Sequence, residues 1–527
     1  MKLSLPPWCR LRRGSSNVIL IAPHGGRRPA ADPAAPRERK VNDLHTAELT
    51  MELAEALDAT AIINSGCDRN EIDLNRIGQV RRRAPWFLDL LVEQIIAVRA
   101  HHAEVQVLLV HGWNVGQPKC DLGVGGTERG GALQPLGEAA LSVGPRYWDT
   151  RVATFRSACA EAGISTVVGE RYPAAHRSNL LQAFTPRSAD REDPRLRQLA
   201  EWAKIGTINA VQLELGIPVR WPGALRRSLV KAAVTAFGGR PTSRKPPQPQ
   251  TPLRQPPLRP LGFHFHDPAS GITMFAAIAR MGPATGGRLL LFLGGQEIAL
   301  FTGEEPGERG RVGALEFVAD GENFDLRFRG HVTHLTDAGL YLDLEAALAA
   351  SALAEVQLAL RYQPATGSLA AVEAKPGSFS GTIRIDDRQV PIATTGFLDP
   401  AVALRGPGTH AARTHLAAMF NDRSGLSLRC ADESSMSGLV ITDGVGSRPR
   451  GSVAVTVDGD VYTPRQFLLR LVDAPSPVRA EPLARMPILR PLGEGAYARI
   501  TFGPARFEWD GKVGWGVYEY ARRVTTP

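Results

Sequence analysis

The sequence predicts an α/β domain with a mixed, mainly parallel sheet sandwiched by helices, followed by an all-β region of two barrels. Three observations carry that expectation. Short apolar runs alternate with longer amphipathic stretches over residues 1–237, the pattern of a parallel sheet covered by helices. A basic, proline-rich segment, GGRPTSRKPPQPQTPLRQPPLRP, fills residues 238–260 and cannot sit in helix interiors or central strands. Beyond it, period-two runs punctuated by glycine and Asp-Gly pairs replace helical periodicity.

The elements follow in order. Residues 18–22, VILIA, form a continuous apolar run and read as a buried strand. Leu44, Leu49, Leu53 and Leu57 recur at helical spacing and predict a helix over 44–57. Strands are expected at 60–64, 105–110, 165–168 and 210–215, and helices at 87–98, 148–161 and 225–237. After the linker, alternation is clearest at 287–293 and 324–329, with one helical stretch at 344–353. About 265 residues is long for a single barrel, so the region is divided near Asp399. The expected domains are 1–237, a linker at 238–260, a first barrel at 261–398 and a second at 399–527.

Composition bounds the function. A chain of 527 residues exceeds one core. Its 43% hydrophobic and 22% charged content is that of a globular protein. No apolar run is long enough for a membrane span. The opening MKLSLPPWCRLRRG is too short and proline-broken for a signal peptide, so a cytoplasmic protein is expected. The five cysteines are odd in number and form no CxxC pair, which argues against a disulfide framework or a cysteine zinc site. The net charge is +9. Arg240, Arg244, Lys245, Arg254 and Arg259 place much of it in the linker, with no interleaved aromatics, so nucleic acid is not an expected partner.

The chemistry gathers in the first domain. Pro23-His24-Gly25-Gly26 follows the first strand directly, where open α/β sheets place their sites. Asn42-Asp43-Leu44-His45 opens the first helix. Arg69-Asn-Glu-Ile-Asp73-Leu-Asn75-Arg76 precedes the second. His111-Gly-Trp-Asn follows the strand at 105–110. Two histidines at strand ends and a carboxylate at a helix start can converge on one divalent metal, and a catalytic zinc takes three protein ligands. Glu214, in Gln212-Leu-Glu214, is a charge inside an apolar strand, which is costly unless paired or functional. The glycine-rich stretch at 120–131 lacks the Gly-Lys-Thr ending of a phosphate loop and reads as a flexible substrate loop.

Taken in order across residues 17–237, these stretches resemble the N-formylglutamate amidohydrolase family, a branch of the zinc carboxypeptidase-like hydrolases. The resemblance rests on Pro23 to Gly26, Asp43 to His45, Arg69 with Asp73 to Arg76, His111, and Gln212 to Glu214. It implies a zinc-dependent hydrolase, with one Zn2+ per chain, cleaving an amide bond next to a carboxylate. His24 and His111 would bind zinc as neutral imidazoles, and Glu214 would be the general base. Arg69 would stabilise the oxyanion. Asn75 and Arg76 would grip the substrate carboxylate, since a guanidinium fork matches it bidentately. Tyr172 and Arg177, just after a strand, are further substrate contacts. The sequence departs from zinc carboxypeptidases at the third ligand, where His-x-x-Glu is replaced by Arg27. Asp43 takes that place, with Glu38 and His45 as alternatives.

The all-β half carries no comparable constellation. Its ending, Trp509-Asp-Gly-Lys-Val-Gly-Trp515-Gly-Val-Tyr518-Glu519-Tyr520, resembles the last strand of two-barrel, lipocalin-like proteins related to tocopherol cyclase and carotenoid hydratases. That resemblance implies a small apolar ligand in each barrel. Two other readings therefore stand beside the hydrolase. One is a binding protein with a degenerate hydrolase domain. The other is an enzyme acting on isoprenoid-like substrates in the barrel half.

Overall fold

A computed structural model of the chain describes residues 5–27, 40–190, 192–239, 260–281, 284–306, 310–365, 374–400, 413–421, 423–431, 435–472, 474–493 and 496–524. They form two compact units, one up to Gly239 and one from Pro260 onward. Glu38 and nearly all of the proline-rich segment lie outside the described residues. No helix among those described is long and apolar enough to cross a membrane.

In the first unit the strands are β1 (Cys9–Arg12), β2 (Val18–Ala22), β3 (Thr60–Asn64), β4 (Val105–Trp113), β5 (Lys119–Gly123), β6 (Gly126–Arg129), β7 (Ala132–Pro135), β8 (Ser165–Val168) and β9 (Ile208–Gly216). The helices are α1 (Thr46–Leu57), α2 (Ile77–Arg83), α3 (Pro85–Arg99), the single turn α4 (Pro145–Tyr147), α5 (Ala153–Glu161), α6 (Pro194–Lys204), α7 (Ile217–Arg220) and α8 (Ala224–Phe237). Seven strands make one sheet in the order β1-β3-β2-β4-β9-β5-β8. β2 runs parallel to β3 and β4, β4 to β9, and β5 to β8, while β1 and β5 meet β3 and β9 antiparallel. The sheet is mixed because of those two pairings.

Side-chain alternation along β2 explains its unbroken apolar run. Val18 and Leu20 enter a core with Leu49, Leu53 and Leu57 of α1 and Leu229 and Phe237 of α8. Ile19 and Ile21 enter a second core with Leu88, Leu91 and Ile95 of α3. A strand covered on both faces has no polar face to present.

Three local expectations are corrected. The strand at 105–110 continues to Trp113, so His111 lies within β4 rather than beyond it. The helix at 148–161 begins with a wider turn over Trp148–Val152 before α5. Residues 120–131 are not a flexible loop: Cys120 to Gly123 belong to buried β5, and β6 pairs with β7 as a hairpin. Cysteine, leucine and valine between the glycines supply the apolar side chains that bury this segment.

Among its described residues the second unit is all-β apart from two short helical segments. Its first sheet comprises β10 (Leu261–Asp267), β11 (Ile272–Met281), β12 (Ala284–Phe292), β13 (Ile298–Pro306), β14 (Arg311–Val312), β15 (Leu315–Asp320), β16 (Asn323–Leu335), β17 (Ala352–Pro364), β18 (Lys375–Ile385) and β19 (Arg388–Leu398). β19 pairs with β10, and β13 pairs with β16. Those pairings close an antiparallel ring, with the β14–β15 hairpin carried outside it. Aromatic rings pack its interior: Phe263 lies 5.0 Å from Phe317, 5.4 Å from Phe324, 5.5 Å from Tyr362 and 6.4 Å from Phe379. The helix expected at 344–353 stops early as α9 (Leu344–Ala350), because Ala352 and Leu353 already open β17.

The second sheet comprises β20 (Arg413–Met419), β21 (Gly425–Cys430), β22 (Met436–Thr442), β23 (Val445–Ser447), β24 (Gly451–Val457), β25 (Pro464–Leu471), β26 (Val478–Pro482), β27 (Met486–Gly493), β28 (Ala496–Trp509) and β29 (Lys512–Val524). It curls in the order β23-β22-β21-β20-β29-β28-β26-β25-β24, with β27 paired to β28. Asp443-Gly444 and Asp510-Gly511 turn two of its hairpins, all four residues at positive φ, as a tight two-residue turn requires. The outer faces of the two sheets pack together through Leu290, Phe292, Met486, Ile500 and Phe502.

Candidate metal centre

The site begins with two segments sewn together beside the C-terminal end of β2. Asn42 Nδ2 donates to Asp68 Oδ1 at 3.1 Å, and Asn42 Oδ1 accepts from the Arg69 amide at 3.0 Å. Lys40 and Asn70 exchange two more hydrogen bonds. The Asp43 amide donates to the His24 carbonyl at 2.8 Å, which fixes the acid beside the histidine. The glycines after His24 serve close backbone approach. A Cβ on Gly25 would meet the Asn64 carbonyl oxygen at 2.7 Å, and one on Gly26 would meet the Cys67 carbonyl oxygen at 2.0 Å. Gly26→Ala is therefore expected to cost about 1–3 kcal/mol, the usual size of overpacking. A lower urea midpoint for the first unit's unfolding checks it, and an unchanged midpoint would mean that the backbone at Gly26 and Cys67 shifts without cost.

Asp43 then gathers both histidines. Its Oδ2 lies 3.2 Å from His24 Nδ1 and 3.1 Å from His111 Nδ1. One ligand atom from each of His24, Asp43 and His111 falls within 4.8 Å of the others, and all three residues are buried. Burial would raise the Asp43 carboxyl, but the His24 charge and hydrogen bonds from both imidazoles hold it well below the carboxylate range. Burial lowers His111 to about 4 against the opposing pull of Asp43, so its imidazole is neutral at pH 7. His24 Nε2 meets Asp73 Oδ1 at 2.7 Å. Burial opposes the Asp73 charge, yet the His24 hydrogen bond and charge keep its carboxyl below the ordinary range.

Glu214 sits in register with His111 across β4–β9 and with Asp121 across β9–β5, making a polar row through the central strands. Its Oε1 accepts from Gln212 Nε2 at 2.7 Å. Burial, then the Asp43 and Asp121 charges, raise its carboxyl well above the ordinary range. Arg69 Nη1 donates to Asp43 Oδ1 at 3.1 Å and to the Val41 carbonyl at 3.2 Å. Its Nε is buried with no acceptor among the described residues.

The expected substrate contacts lie on two segments that meet. The Asn75 side chain accepts from the Leu180 amide at 3.3 Å, and Arg76 Nη1 donates to Ser178 Oγ at 3.0 Å. Arg177 is exposed on the same 176–180 segment. Tyr172 packs edge-on to Trp113 at 5.6 Å. Of the alternatives to Asp43, His45 stands outside the cluster, 5.2 Å from Trp221, and Glu38 lies outside the described residues. Arg27 is exposed, 3.7 Å from Glu48.

Three supporting residues had no assigned role in the sequence reading. Asp73 stood inside the quoted motif, but only its contact with His24 gives it a task. Asp121 is fully buried and accepts the amides of Glu170, Arg171 and Tyr172 at 3.2, 2.7 and 2.8 Å, which positions the Tyr172 segment. Arg220, also fully buried, donates to the carbonyls of Leu44, Trp113 and Leu215 at 3.0, 2.7 and 2.8 Å. It lies so close to Gly112 that a Cβ there would sit 2.9 Å from the guanidinium carbon. A buried aspartate in KCDLG and the arginine of IPVR were the available signals.

A family described as "Domain of unknown function (DUF7064)" matches residues 263–524. No curated protein matches the chain. Among solved structures, the chain is similar to N-formylglutamate amidohydrolase from Ralstonia eutropha JMP134. That match has 14% identity and a TM-score of 0.30 and covers 43% of this chain and 95% of the other. Kievitone hydratase from Nectria haematococca matches at 10% identity and a TM-score of 0.30, covering 50% of this chain and 88% of its own. A gene product from Agrobacterium tumefaciens matches at 12% identity and a TM-score of 0.28, covering 42% and 90%.

Proposed function

We propose that the first unit is a zinc-dependent amidohydrolase acting on an amide bond next to a carboxylate. The observation that carries this reading is the convergence of His24 Nδ1, Asp43 Oδ2 and His111 Nδ1 on one buried point. Its donor set, two imidazole nitrogens and one carboxylate oxygen, suits a catalytic zinc, which keeps a further position open. The carboxylate of Asp73 on the far nitrogen of His24 supports the same reading, since ligating histidines commonly give their other nitrogen to a carboxylate.

His24, Asp43 and His111 would hold the ion, which would supply a water molecule of lowered pKa and polarise the scissile carbonyl. The chain's own residues do the rest. Arg69 fixes the Asp43 carboxylate through Nη1 and keeps Nε for the carbonyl oxygen of the substrate. Glu214, one strand from His111, accepts a proton and returns it to the leaving amine. Arg76 and Arg177 supply cations for the substrate carboxylate, Asn75 ties their two segments together, and Tyr172 with Trp113 forms an apolar wall.

Metal analysis of the purified full chain after zinc loading and dialysis tests the reading. One zinc per chain is expected, with loss in both His24→Ala and His111→Ala. A panel of N-acyl amino acids should include hydrolysed members. Full zinc occupancy in both variants, or no hydrolysis by the loaded protein, would overturn the proposal.

A further inference from the structure

Three of the segments that carry site residues meet on one guanidinium. Arg220 closes α7, just after β9, and its side chain is fully buried. Nε donates to the Leu44 carbonyl at 3.0 Å, and Nη1 donates to the carbonyls of Trp113 and Leu215 at 2.7 and 2.8 Å. Nη2 donates to Asn114 Oδ1. Leu44 follows Asp43, Trp113 lies two residues past His111, and Leu215 follows Glu214. One planar fork of donors therefore joins the entry to α1, the end of β4 and the end of β9.

The surroundings are shaped to hold that fork. A Cβ at residue 112 would fall 2.9, 3.0 and 3.1 Å from Cζ, Nε and Nη1 of Arg220, so the glycine beside His111 makes room for it. Arg226 Nη1 donates to the Arg220 carbonyl at 3.2 Å. Its Nε and Nη2 clasp the Glu52 carboxylate of α1 at 2.9 and 2.6 Å. The helix that begins at the Asp43 segment is thus tied to the Arg220 backbone as well as to its side chain.

A buried cation is costly unless hydrogen bonds or opposite charges offset it. All four acceptors named for Arg220 are neutral. Burial lowers its guanidinium to about 10, and the Asp43 charge, then that of Glu214, opposes the fall. Lysine would keep the charge, but its donors share a single nitrogen and cannot span acceptors that the guanidinium reaches from three. We propose that Arg220 is the positioning residue of the metal cluster, whose fork sets Asp43 against His111 and holds Glu214 beside them. Its hydrogen bonds go to backbone carbonyls and Asn114, so it acts through the chain that carries the ligands. This inference rests on the reading of His24, Asp43 and His111 as a metal centre.

Calorimetric zinc titration of the full chain, with NMR of its histidine rings in the metal-free, histidine-labelled protein, tests the proposal. In Arg220→Lys the zinc Kd should rise about 10–100-fold, the usual cost of losing a group that orients metal ligands. The ring signals of His24 and His111 should move in the metal-free variant, while those of His264 and His266 in the second unit stay. An arginine that serves stability alone would lower the urea midpoint and leave both readouts unchanged. Arg156→Gln, which removes another buried arginine from its pair with Glu128, is the control for that role. An equal rise in Kd there would assign the effect to lost stability and overturn the proposal. If Arg220→Lys does not fold, Asn114→Ala removes the acceptor of Nη2 and should also weaken zinc binding. Unmoved ring signals in Arg220→Lys, or an unchanged zinc Kd in the folded variant, would overturn the proposal and leave the hydrolase reading standing. A wild-type chain that takes up no zinc would overturn the hydrolase reading instead, and the ring signals would then decide the role of Arg220.

Discussion

Glu214→Gln is expected to slow turnover of the metal-loaded protein by about 10²–10⁴-fold, the usual contribution of a positioned acid–base group. Zinc content should stay at the wild-type level, because Glu214 is not one of the three converging ligands. In the metal-free chain, burial and the neighbouring Asp43 and Asp121 charges favour its protonated form. A dication held at the histidine–aspartate cluster would oppose that preference, since a nearby positive charge favours the carboxylate. Glutamine preserves the volume and an oxygen for Gln212 Nε2 but cannot take a proton. The metal-free variant should be at least as stable as the wild type near pH 7. A carboxyl whose folded pKa lies above its unfolded value loses stability as pH rises toward that folded value, and glutamine has no such term. Steady-state kinetics on a hydrolysed N-acyl amino acid, with metal analysis of the same samples, checks both halves. Wild-type turnover in Glu214→Gln would remove the general-base role, and loss of zinc would make Glu214 a ligand instead.

Much of this site was legible because its residues sit beside apolar runs. His24 follows VILIA, and Glu214 is the one charge in the buried strand INAVQLELG, so each stands out against its neighbours. The position of His111 was misjudged by one structural step. Its strand carries on through Gly112 and Trp113, and glycine after a histidine reads as a turn unless the packing of Arg220 is known. The partnership of Asp73 with His24 links residues 49 apart in sequence and has no local signature. Of the helices α2 and α6, both outside the expected set, only α2 was hidden in the sequence. IGQVRRR carries a glycine and an arginine run that blur an amphipathic pattern, whereas α6 has a readable start. Asp193 caps it by accepting the Arg195 amide, with Pro194 in the first turn. In the second unit the alternation announced strands, but not which strands pair. Closure through β13–β16 and β10–β19 joins residues far apart in sequence.

Asp399→Asn is expected to destabilise the second unit by about 3–5 kcal/mol at pH 7, the range for removing one partner of a buried ion pair. Asp399 is fully buried, and Arg429, His415 and Ser427 all converge on its carboxylate. Asparagine keeps the shape and an acceptor oxygen but leaves the Arg429 guanidinium without this charge. The pH dependence separates this cause from a packing defect. Burial opposes the Asp399 charge, yet the His415 hydrogen bond, the His415 charge and Arg429 hold its folded pKa well below the ordinary value. A depressed carboxyl contributes stability that is complete above its unfolded pKa, about 3.9, and is lost as pH falls toward the folded value. The gap between wild type and variant should therefore narrow below about pH 4, where the wild type loses what the variant never had. Contributions from Asp43 and Asp73 cancel in that difference, because both chains retain them. Urea unfolding of the two full-length proteins across this range measures the gap. A gap that stays the same down to pH 3 would assign the loss to packing, and no gap at pH 7 would mean that the carboxylate does not hold the two sheets together.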